Sequence, residues 1–300
     1  MTHYWGRRRG IQVMAHGDAR NDPCACGSGR KAKRCCLVDG HWVKQPVRVL
    51  PESPATGHSN PSCYLARFRD CSTKISREHY FSSGILSLIS EEIGGNIAAT
   101  GLAWVERAPQ DAVPADAFNA KVLCDRHNSG LGPLDDAATK LYRAICDLHL
   151  GWPDTAGRFL MSGHDLERWM LKVTIGILLT GQHQVKPDLL VKFDNISDKT
   201  LGQLLHPGRF DYRAGEGLYA VRTEAGGFIR SPTSGFTTHW ADNQTLAGVT
   251  VELRGLRFVL SLSPEMRIHP DYSSMTHRPE RMAFSKKGGK RRNLMFSWVR

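Results

Sequence analysis

Residues 20–36 read RNDPCACGSGRKAKRCC and set four cysteines within 13 residues: Cys24, Cys26, Cys35 and Cys36. Four thiolates so close in sequence can surround one tetrahedral zinc ion, with Zn–S bonds of about 2.3 Å. The Gly-Ser-Gly sequence between the two pairs allows the tight turn that brings them together. A segment this short has no core of its own, so metal binding would supply most of its folding free energy. The stretch predicts a small zinc knuckle.

The same four cysteines resemble the SEC-C motif, known from the C-terminal tail of the bacterial preprotein-translocase ATPase and from many other bacterial proteins. In that family the motif is an accessory zinc knuckle for contacts with protein, ribosome or nucleic acid. The resemblance implies a bacterial protein with zinc bound at these cysteines. Because it covers a short part of the 300 residues, it implies little about activity.

The composition is that of a globular protein, with 41% hydrophobic and 23% charged residues. The longest strongly apolar stretch spans residues 166–179 and contains Glu167, Arg168 and Lys172, so it is too short and too charged to span a bilayer. No apolar run of signal-peptide length follows the basic N-terminus, which predicts a cytoplasmic protein without a membrane partner. In that compartment the eight cysteines are better explained by metal ligation than by disulfides.

The formal net charge of +11 is concentrated at the two ends of the chain. Residues 1–60 carry 10 Lys and Arg against 4 Asp and Glu, residues 264–300 carry 9 against 3, and residues 61–263 carry 21 against 22. Basic ends usually bind a polyanion, so we expect nucleic acid, in the first place DNA, as the partner. In the tail we expect phosphate contacts from five cations: Lys286, Lys287, Lys290, Arg291 and Arg292.

The tail also interleaves this charge with two aromatic residues, Phe296 and Trp298. In one interpretation the cations bind phosphates while the aromatic rings stack on bases. In the other, the segment is a last strand with a basic loop before it. The sequence leaves both interpretations open.

The hydrophobic patterns predict an α+β fold behind the knuckle. Helical periodicity covers residues 84–93, 134–148 and 165–179. The last third of the chain consists of short β-branched or aromatic segments separated by Gly or Asn, which predicts mostly antiparallel strands. These segments are residues 217–224, 226–230, 236–241, 248–255 and 256–262.

A second zinc site is predicted from cysteines further along the chain. Cys124-x-x-His127 has a normal ligand spacing, and Cys63 with Cys71 would complete a set of three cysteines and one histidine. The first pair is separated more widely than is usual in a zinc ribbon.

Four polar residues outside this ligand set lie near it in the sequence. Glu78 and His79 are adjacent in the sequence ISREHYFSSGIL at residues 75–86. Asn119 lies shortly before the Cys-His pair, and Asn128 directly follows it. The arrangement resembles the HNH endonuclease family, whose ββα-metal fold is framed in many members by a zinc site of four cysteines.

This resemblance implies a role for each residue. His79 would be the general base that activates water, and Asn119 would orient it. Glu78 and Asn128 would hold the catalytic metal, Mg²⁺ or another hard divalent ion. As an alternative, His127 could hold that metal, which would leave three cysteines in the structural site. We favour the structural role for His127, because Asn128 then falls in the family position.

The predicted function is metal-dependent cleavage of DNA phosphodiester bonds. The alternative is a non-catalytic zinc-binding adaptor for nucleic acid or protein, in which both zinc sites are structural and Glu78-His79 is incidental. The nuclease requires Glu78, His79 and Asn128 to converge on one metal-sized space, and the adaptor does not.

These patterns divide the chain into four parts. Residues 1–45 are a SEC-C knuckle with a basic N-terminal extension, and residues 46–62 are a linker rich in Pro and Ser. Residues 63–150 form the HNH-like module. Residues 151–300 form a mixed helical and antiparallel β C-terminal domain with a basic tail.

Overall fold

A computed structural model describes residues 17–49, 54–97, 113–150, 157–180, 196–221, 234–242, 245–268, 274–285 and 291–299. They form a mixed α and β structure with mainly antiparallel sheets and a cysteine cluster near the N-terminus, which confirms the predicted fold class at that level. The basic extension at residues 1–16, the predicted strand at 226–230, and Lys286, Lys287 and Lys290 lie outside the described residues.

The N-terminal knuckle is made of short elements. They are two 3-10 turns, Gly17–Arg20 and Ala32–Arg34, and the antiparallel strands β1 (Leu37–Val38) and β2 (His41–Trp42). Asp39 and Gly40 between the strands have φ values of 47° and 80°. A two-residue hairpin turn of this kind needs positive φ at both central positions, and glycine adopts it without steric penalty.

The middle of the chain folds into a strand pair and two helices. In chain order these are β3 (Ile75–His79), α1 (Ser83–Ile93), β4 (Asn119–Cys124) and α2 (Asp125–Leu150). β3 and β4 pair antiparallel with His79 opposite Asn119, and the register shifts between Ser76 and Glu78. Such a bulge changes the direction in which the following side chains point. The long helix α2 follows β4 directly.

Helix α2 is longer than its apolar pattern predicts, because it begins at Asp125 and not near residue 134. Gly132 and Pro133 lie in the added turns, and such residues ordinarily weaken or end a helix. Leu131 and Leu134 are both fully buried. Burial of these side chains therefore outweighs the local preference of the sequence.

The C-terminal part contains the larger sheets. Its elements are β5 (Arg158–Ser162), α3 (Gly163–Leu179), α4 (Asp198–Leu205), β6 (Gly217–Val221), β7 (Ser234–Trp240), β8 (Leu246–Leu253), β9 (Leu256–Ser261), β10 (Met275–His277), β11 (Arg281–Ser285) and β12 (Arg291–Ser297). Five strands form an antiparallel sheet in the order β10-β6-β9-β8-β7. A smaller sheet has the order β11-β12-β5, in which β5 runs parallel to β12. The sequence pattern did not predict β5.

Helix α3 is the central element of the core, and every residue from Gly163 to Ile177 is buried. A Cβ on Gly176 would lie 2.6 Å from the Cβ of Tyr80, so only glycine permits this approach of the helix to the end of β3. Among the described residues, no helix, α3 included, is both long and apolar enough to cross a membrane. The titratable residues of α3 are buried, with His164 hydrogen-bonded to Glu167 and the others in ion pairs: His164, Asp165, Glu167, Arg168 and Lys172.

Strand β12 decides between the two interpretations of the tail. Phe296 is 3% exposed, and its ring packs against that of Phe258 with centroids 6.1 Å apart. Trp298 packs against the core, and its Nε1 donates a hydrogen bond to the carbonyl of Pro279. The interpretation in which these rings stack on bases is wrong, because both are used in packing.

The two tail arginines within the described residues differ in exposure. Arg291 is exposed, whereas the side chain of Arg292 is 13% exposed and its Nη1 lies 3.8 Å from Asp147 Oδ2. Their contacts with nucleic acid stay a prediction.

One hydrophobic cluster extends through three of the four predicted parts of the chain. It includes Val49, Leu65 and Val249. The segment predicted as a linker is also tied to α3, since the Val47 amide donates to Asp165 Oδ1 at 3.0 Å. The division into four parts stays a prediction.

Candidate metal centres

Cys24, Cys26, Cys35 and Cys36 converge in the knuckle, with their sulfur atoms all within 4.8 Å of one another. The sulfur of Cys35 lies 3.5 Å from that of Cys26 and 3.7 Å from that of Cys36. Two sulfurs bonded to one tetrahedral zinc ion at about 2.3 Å each are about 3.8 Å apart. The cluster could therefore hold one such ion through four thiolates.

Polar neighbours stabilise the thiolate on the exposed side of this cluster. The Ser28 hydroxyl lies 3.2 Å and Arg30 Nη2 lies 3.6 Å from the sulfur of Cys35. Hydrogen bonds from Ser28 and Arg30 outweigh the effect of burial and lower the pKa of Cys35 to about 6. Burial raises the pKa of Cys24 and Cys36 on the inner side. There a bound cation would favour the ionised form of both thiols.

The knuckle is docked on the rest of the protein. The Leu160 amide of β5 donates to the carbonyl of Ala25 at 2.9 Å, so the knuckle covers the edge of the three-stranded sheet. Cys24 and Cys36 belong to one apolar cluster with Leu160 and Met295. A metal held here would therefore stabilise this contact as well as the knuckle.

Cys63, Cys71, Cys124 and His127 form a second cluster, which is buried, with ligand atoms all within 4.8 Å. His127 Nδ1 lies 3.4 Å from Cys63 Sγ and 3.3 Å from Cys124 Sγ. The same nitrogen lies 3.7 Å from Cys71 Sγ. A nitrogen and a sulfur bound tetrahedrally to one zinc ion are about 3.6 Å apart, given bonds of about 2.05 and 2.3 Å. The structure thus brings the four residues together in a set that fits zinc.

A compact loop accommodates the wide spacing of the first cysteine pair. The 3-10 turn Ala66–Phe68 takes up residues between the two cysteines, and the Cys71 amide donates to the carbonyl of His58 at 2.9 Å. Cys124 ends β4, and His127 lies in the first turn of α2. The junction between strand and helix therefore supplies the other two ligands.

Burial governs the protonation of the second cluster. It raises the pKa of the Cys63 and Cys71 thiols, and it lowers the pKa of His127, which favours the neutral imidazole. At Cys124 burial is outweighed by N–H groups of His127 and Ser72 that point to the sulfur, so the pKa of this thiol is lowered. A neutral imidazole and a stabilised thiolate are the forms that bind a metal ion.

Glu78 lies in a buried charge network. Its side chain is paired with the ammonium group of Lys172, which also lies 2.9 Å from Asp135 Oδ2 and 3.3 Å from the carbonyl of His79. Burial raises the pKa of Glu78 to about 7, since the attraction of Lys172 is partly offset by repulsion from Asp135. The buried ammonium group of Lys172 thus forms ion pairs with two carboxylates.

This network links three helices to β3. The hydroxyl of Ser82, the residue before α1, donates to Asp135 Oδ1 of α2 at 2.5 Å. Trp169 Nε1 of α3 donates to the same hydroxyl at 2.7 Å. The polar groups around Lys172 therefore hold one another in place inside the core.

His79 and Asn119 face each other across the β3–β4 ladder. His79 Nε2 lies 3.5 Å from Asp116 Oδ1, and Asn119 Nδ2 donates to the carbonyl of Asp116. Asn128 is half-buried at the start of α2. The structure brings His79 and Asn119 together, whereas the carboxylate of Glu78 is engaged by Lys172.

Sequence reasoning missed Lys172 and Asp135. The signal for Lys172 is its position in the apolar run 166–179, since a lysine buried in a core needs a carboxylate partner. That signal predicts a partner without identifying it, because Glu78 is distant in sequence and Asp135 lies in another helix.

A family model described as the SEC-C motif matches residues 20–37. The match confirms the resemblance of the knuckle to the SEC-C motif. It does not extend to residues 63–150, the part of the chain that resembles the HNH family. No curated protein and no solved structure matches the chain. The chain thus carries a SEC-C motif, and it has two clusters of cysteine and histidine residues that could hold a metal ion such as zinc.

Proposed function

We propose that this chain is a cytoplasmic, zinc-stabilised adaptor that binds nucleic acid, and that both of its zinc sites are structural. The ion pair between Glu78 and Lys172 carries this proposal. Lys172 is 1% exposed, and its two carboxylate partners outweigh the effect of burial and raise its pKa. A divalent ion at Glu78 would have to displace this buried ammonium group. The carboxylate that a nuclease would need is therefore already occupied.

The basic charge of the knuckle supports nucleic acid as the partner. Five exposed cations belong to residues 20–39, where Asp22 and Asp39 are the acidic residues: Arg20, Arg30, Lys31, Lys33 and Arg34. Because the knuckle is docked on β5, these cations have a defined position relative to the rest of the protein. Clustered cations at defined positions suit a polyanion better than an uncharged partner.

We expect the affinity for DNA to fall linearly with salt on a log–log scale, by about 0.9 per phosphate contacted. The double substitution Lys31→Gln/Lys33→Gln should lower the slope by about 2, because two phosphate contacts are lost. Fluorescence anisotropy at a series of salt concentrations measures the slope. The matched control is Arg209→Gln/Arg213→Gln, which removes two exposed charges from the segment between α4 and β6. Equal slopes for both variants would contradict a binding role for the knuckle cations.

The tail is tested in the same assay by substitution and not by deletion. Removing residues 285–300 would remove β12, whose Phe296 is buried in the core. Lys286→Gln, Lys287→Gln and Lys290→Gln leave that strand intact. A lower slope in the triple variant would assign phosphate contacts to the tail lysines.

A second candidate function is metal-dependent cleavage of DNA phosphodiester bonds. The observation that favours it is the pairing of His79 with Asn119 on β3 and β4, followed by α2 with Asn128 near its start. In this candidate His79 would take a proton from water, and Asn119 would orient the imidazole. Glu78 and Asn128 would hold Mg²⁺ or another hard divalent ion, which supplies stabilisation of negative charge on the leaving oxygen.

The two functions give opposite results in a plasmid-nicking assay with added Mg²⁺ or Mn²⁺. For the adaptor we expect no cleavage by the wild type. For the nuclease, folded His79→Ala should be about a hundredfold to ten-thousandfold slower than the wild type. Asn119→Ala should lose less, and Asn128→Ala should be partly rescued by more divalent ion. Cleavage by the wild type that disappears in His79→Ala, with unchanged circular dichroism, would overturn the adaptor.

A further inference from the structure

The loop between Cys63 and Cys71 exposes an aromatic ring between two arginines. Arg67, Phe68 and Arg69 are all exposed, and Phe68 is 44% exposed. Among the described residues, the other large hydrophobic side chains with comparable exposure are Val38 and Ile93, and neither is aromatic. An exposed phenylalanine forgoes part of the stabilisation that full burial of such a side chain provides.

The backbone of this loop is held in one conformation. The Phe68 amide donates to the carbonyl of Leu65, and the Arg69 amide donates to that of Ala66, which also accepts a hydrogen bond from Ser59 Oγ. Arg69 has φ 54° and ψ 38°, a left-handed conformation that is unfavourable for a residue other than glycine. The flanking cysteines belong to the second cluster. The ring of Phe68 is therefore presented by a constrained backbone, which reduces the entropy lost on binding.

The charges beside the ring are available to an anion. Arg67 Nη1 lies 2.5 Å from Asp198 Oδ1, but the Asp198 side chain is 87% exposed. A pair so exposed contributes little free energy, so a phosphate can replace Asp198. Arg69 is exposed on the other side of Phe68. Phe68 thus has one cationic side chain directly before it and another directly after it in the sequence.

We propose that this loop binds single-stranded nucleic acid, with an unpaired base stacked on Phe68 and the adjacent phosphates bound by Arg67 and Arg69. The proposal rests on the proposed nucleic-acid binding and names the form of nucleic acid that is bound. The base faces of a duplex are already stacked on one another, so an exposed ring finds its partner on a single strand. The two flanking cations favour this strand over an uncharged peptide.

The test measures anisotropy of a labelled oligo-dT strand and of a labelled blunt duplex with the full-length protein. Phe68→Ala should weaken binding of the single strand by about 5- to 100-fold and leave binding of the duplex unchanged. Ile93→Ala is the control for loss of an exposed apolar side chain and should change neither. Arg69→Gly removes the charge and suits the left-handed backbone, so it should weaken single-strand binding without loss of fold.

One further variant separates binding from misfolding, since it predicts a gain. Asp198→Asn removes the anion that competes for Arg67, and it should tighten single-strand binding. If the wild type binds neither strand nor duplex, the proposed function itself fails. Two results would overturn only the stacking role, provided that the wild type binds. In the first, Phe68→Ala binds the single strand as tightly as the wild type does. In the second, Phe68→Ala loses affinity for single strand and duplex equally. If Phe68→Ala binds nucleic acid as the wild type does but no longer binds a protein partner, the loop is assigned to protein contacts.

Discussion

Replacing Cys124 with serine is expected to halve the zinc content from two ions per chain to one and to abolish cooperative folding of the chain around the second cluster. Structural zinc contributes about 10 to 16 kcal/mol of apparent binding free energy in small zinc-binding peptides. Whole domains are stable by only about 5 to 15 kcal/mol. The free energy lost with the ion is therefore larger than the remaining contacts can supply.

The position of the cluster makes this effect large. Cys63, Cys71 and Cys124 are all within the main hydrophobic cluster, and Cys124 joins β4 to α2. In the variant, two buried thiols, a hydroxyl and an imidazole would face one another without the ion that joins them. We therefore expect loss of the fold and not a local change.

The measurement is elemental analysis of the purified variants together with thermal unfolding followed by circular dichroism. Cys146→Ser is the matched control, since Cys146 is a half-buried thiol of α2 that lies outside both clusters. It should keep two zinc ions and unfold at nearly the wild-type temperature. A Cys124→Ser protein with two zinc ions and unchanged unfolding would contradict the second site.

Lys172→Met is expected to destabilise the protein by about 3 to 5 kcal/mol, because it leaves the buried carboxylate of Glu78 and the half-buried carboxylate of Asp135 without their cation. Methionine fills a similar volume, so the loss reports on charge and not on a cavity. Glu78 is 3% exposed and has no access to water that could replace the ammonium group. Urea unfolding measures the difference in free energy.

A compensated variant serves as the control for this result. Adding Glu78→Gln and Asp135→Asn to Lys172→Met removes both negative charges and should recover most of the lost stability. If Lys172→Met is as stable as the wild type, the ion pair with Glu78 does not form in solution. The main argument for an occupied carboxylate would then fail as well.

The cysteine clusters could be predicted from the sequence because their chemistry leaves few alternatives. Cys24 to Cys36 lie so close together that the chain itself limits how far apart the sulfurs can be. For Cys63 and Cys71, only the presence of Cys124 and His127 elsewhere in the chain indicated a site. The structure brings them together through contacts that no local pattern encodes.

The charge network around Glu78 could not be predicted in the same way. A glutamate beside a histidine looks the same in a sequence whether it faces solvent, a metal ion or a lysine. The bulge in β3 and the approach of α3 at Gly176 determine that Glu78 meets Lys172. Similarly, local preferences at Pro133 argued for a later start of α2, and tertiary burial overrode them.

The parallel pairing of β5 with β12 has a consequence for the order in which the protein assembles. The chain leaves the ribosome from its N-terminus, so the knuckle and β5 emerge well before β12. The surface that receives the knuckle includes Met295, which lies in β12 and is made long after β5. Until then one edge of β5 lacks its strand partner and can pair with another chain. The knuckle covers the opposite edge, so early metal uptake would protect that edge and leave the edge that awaits β12 open to such pairing.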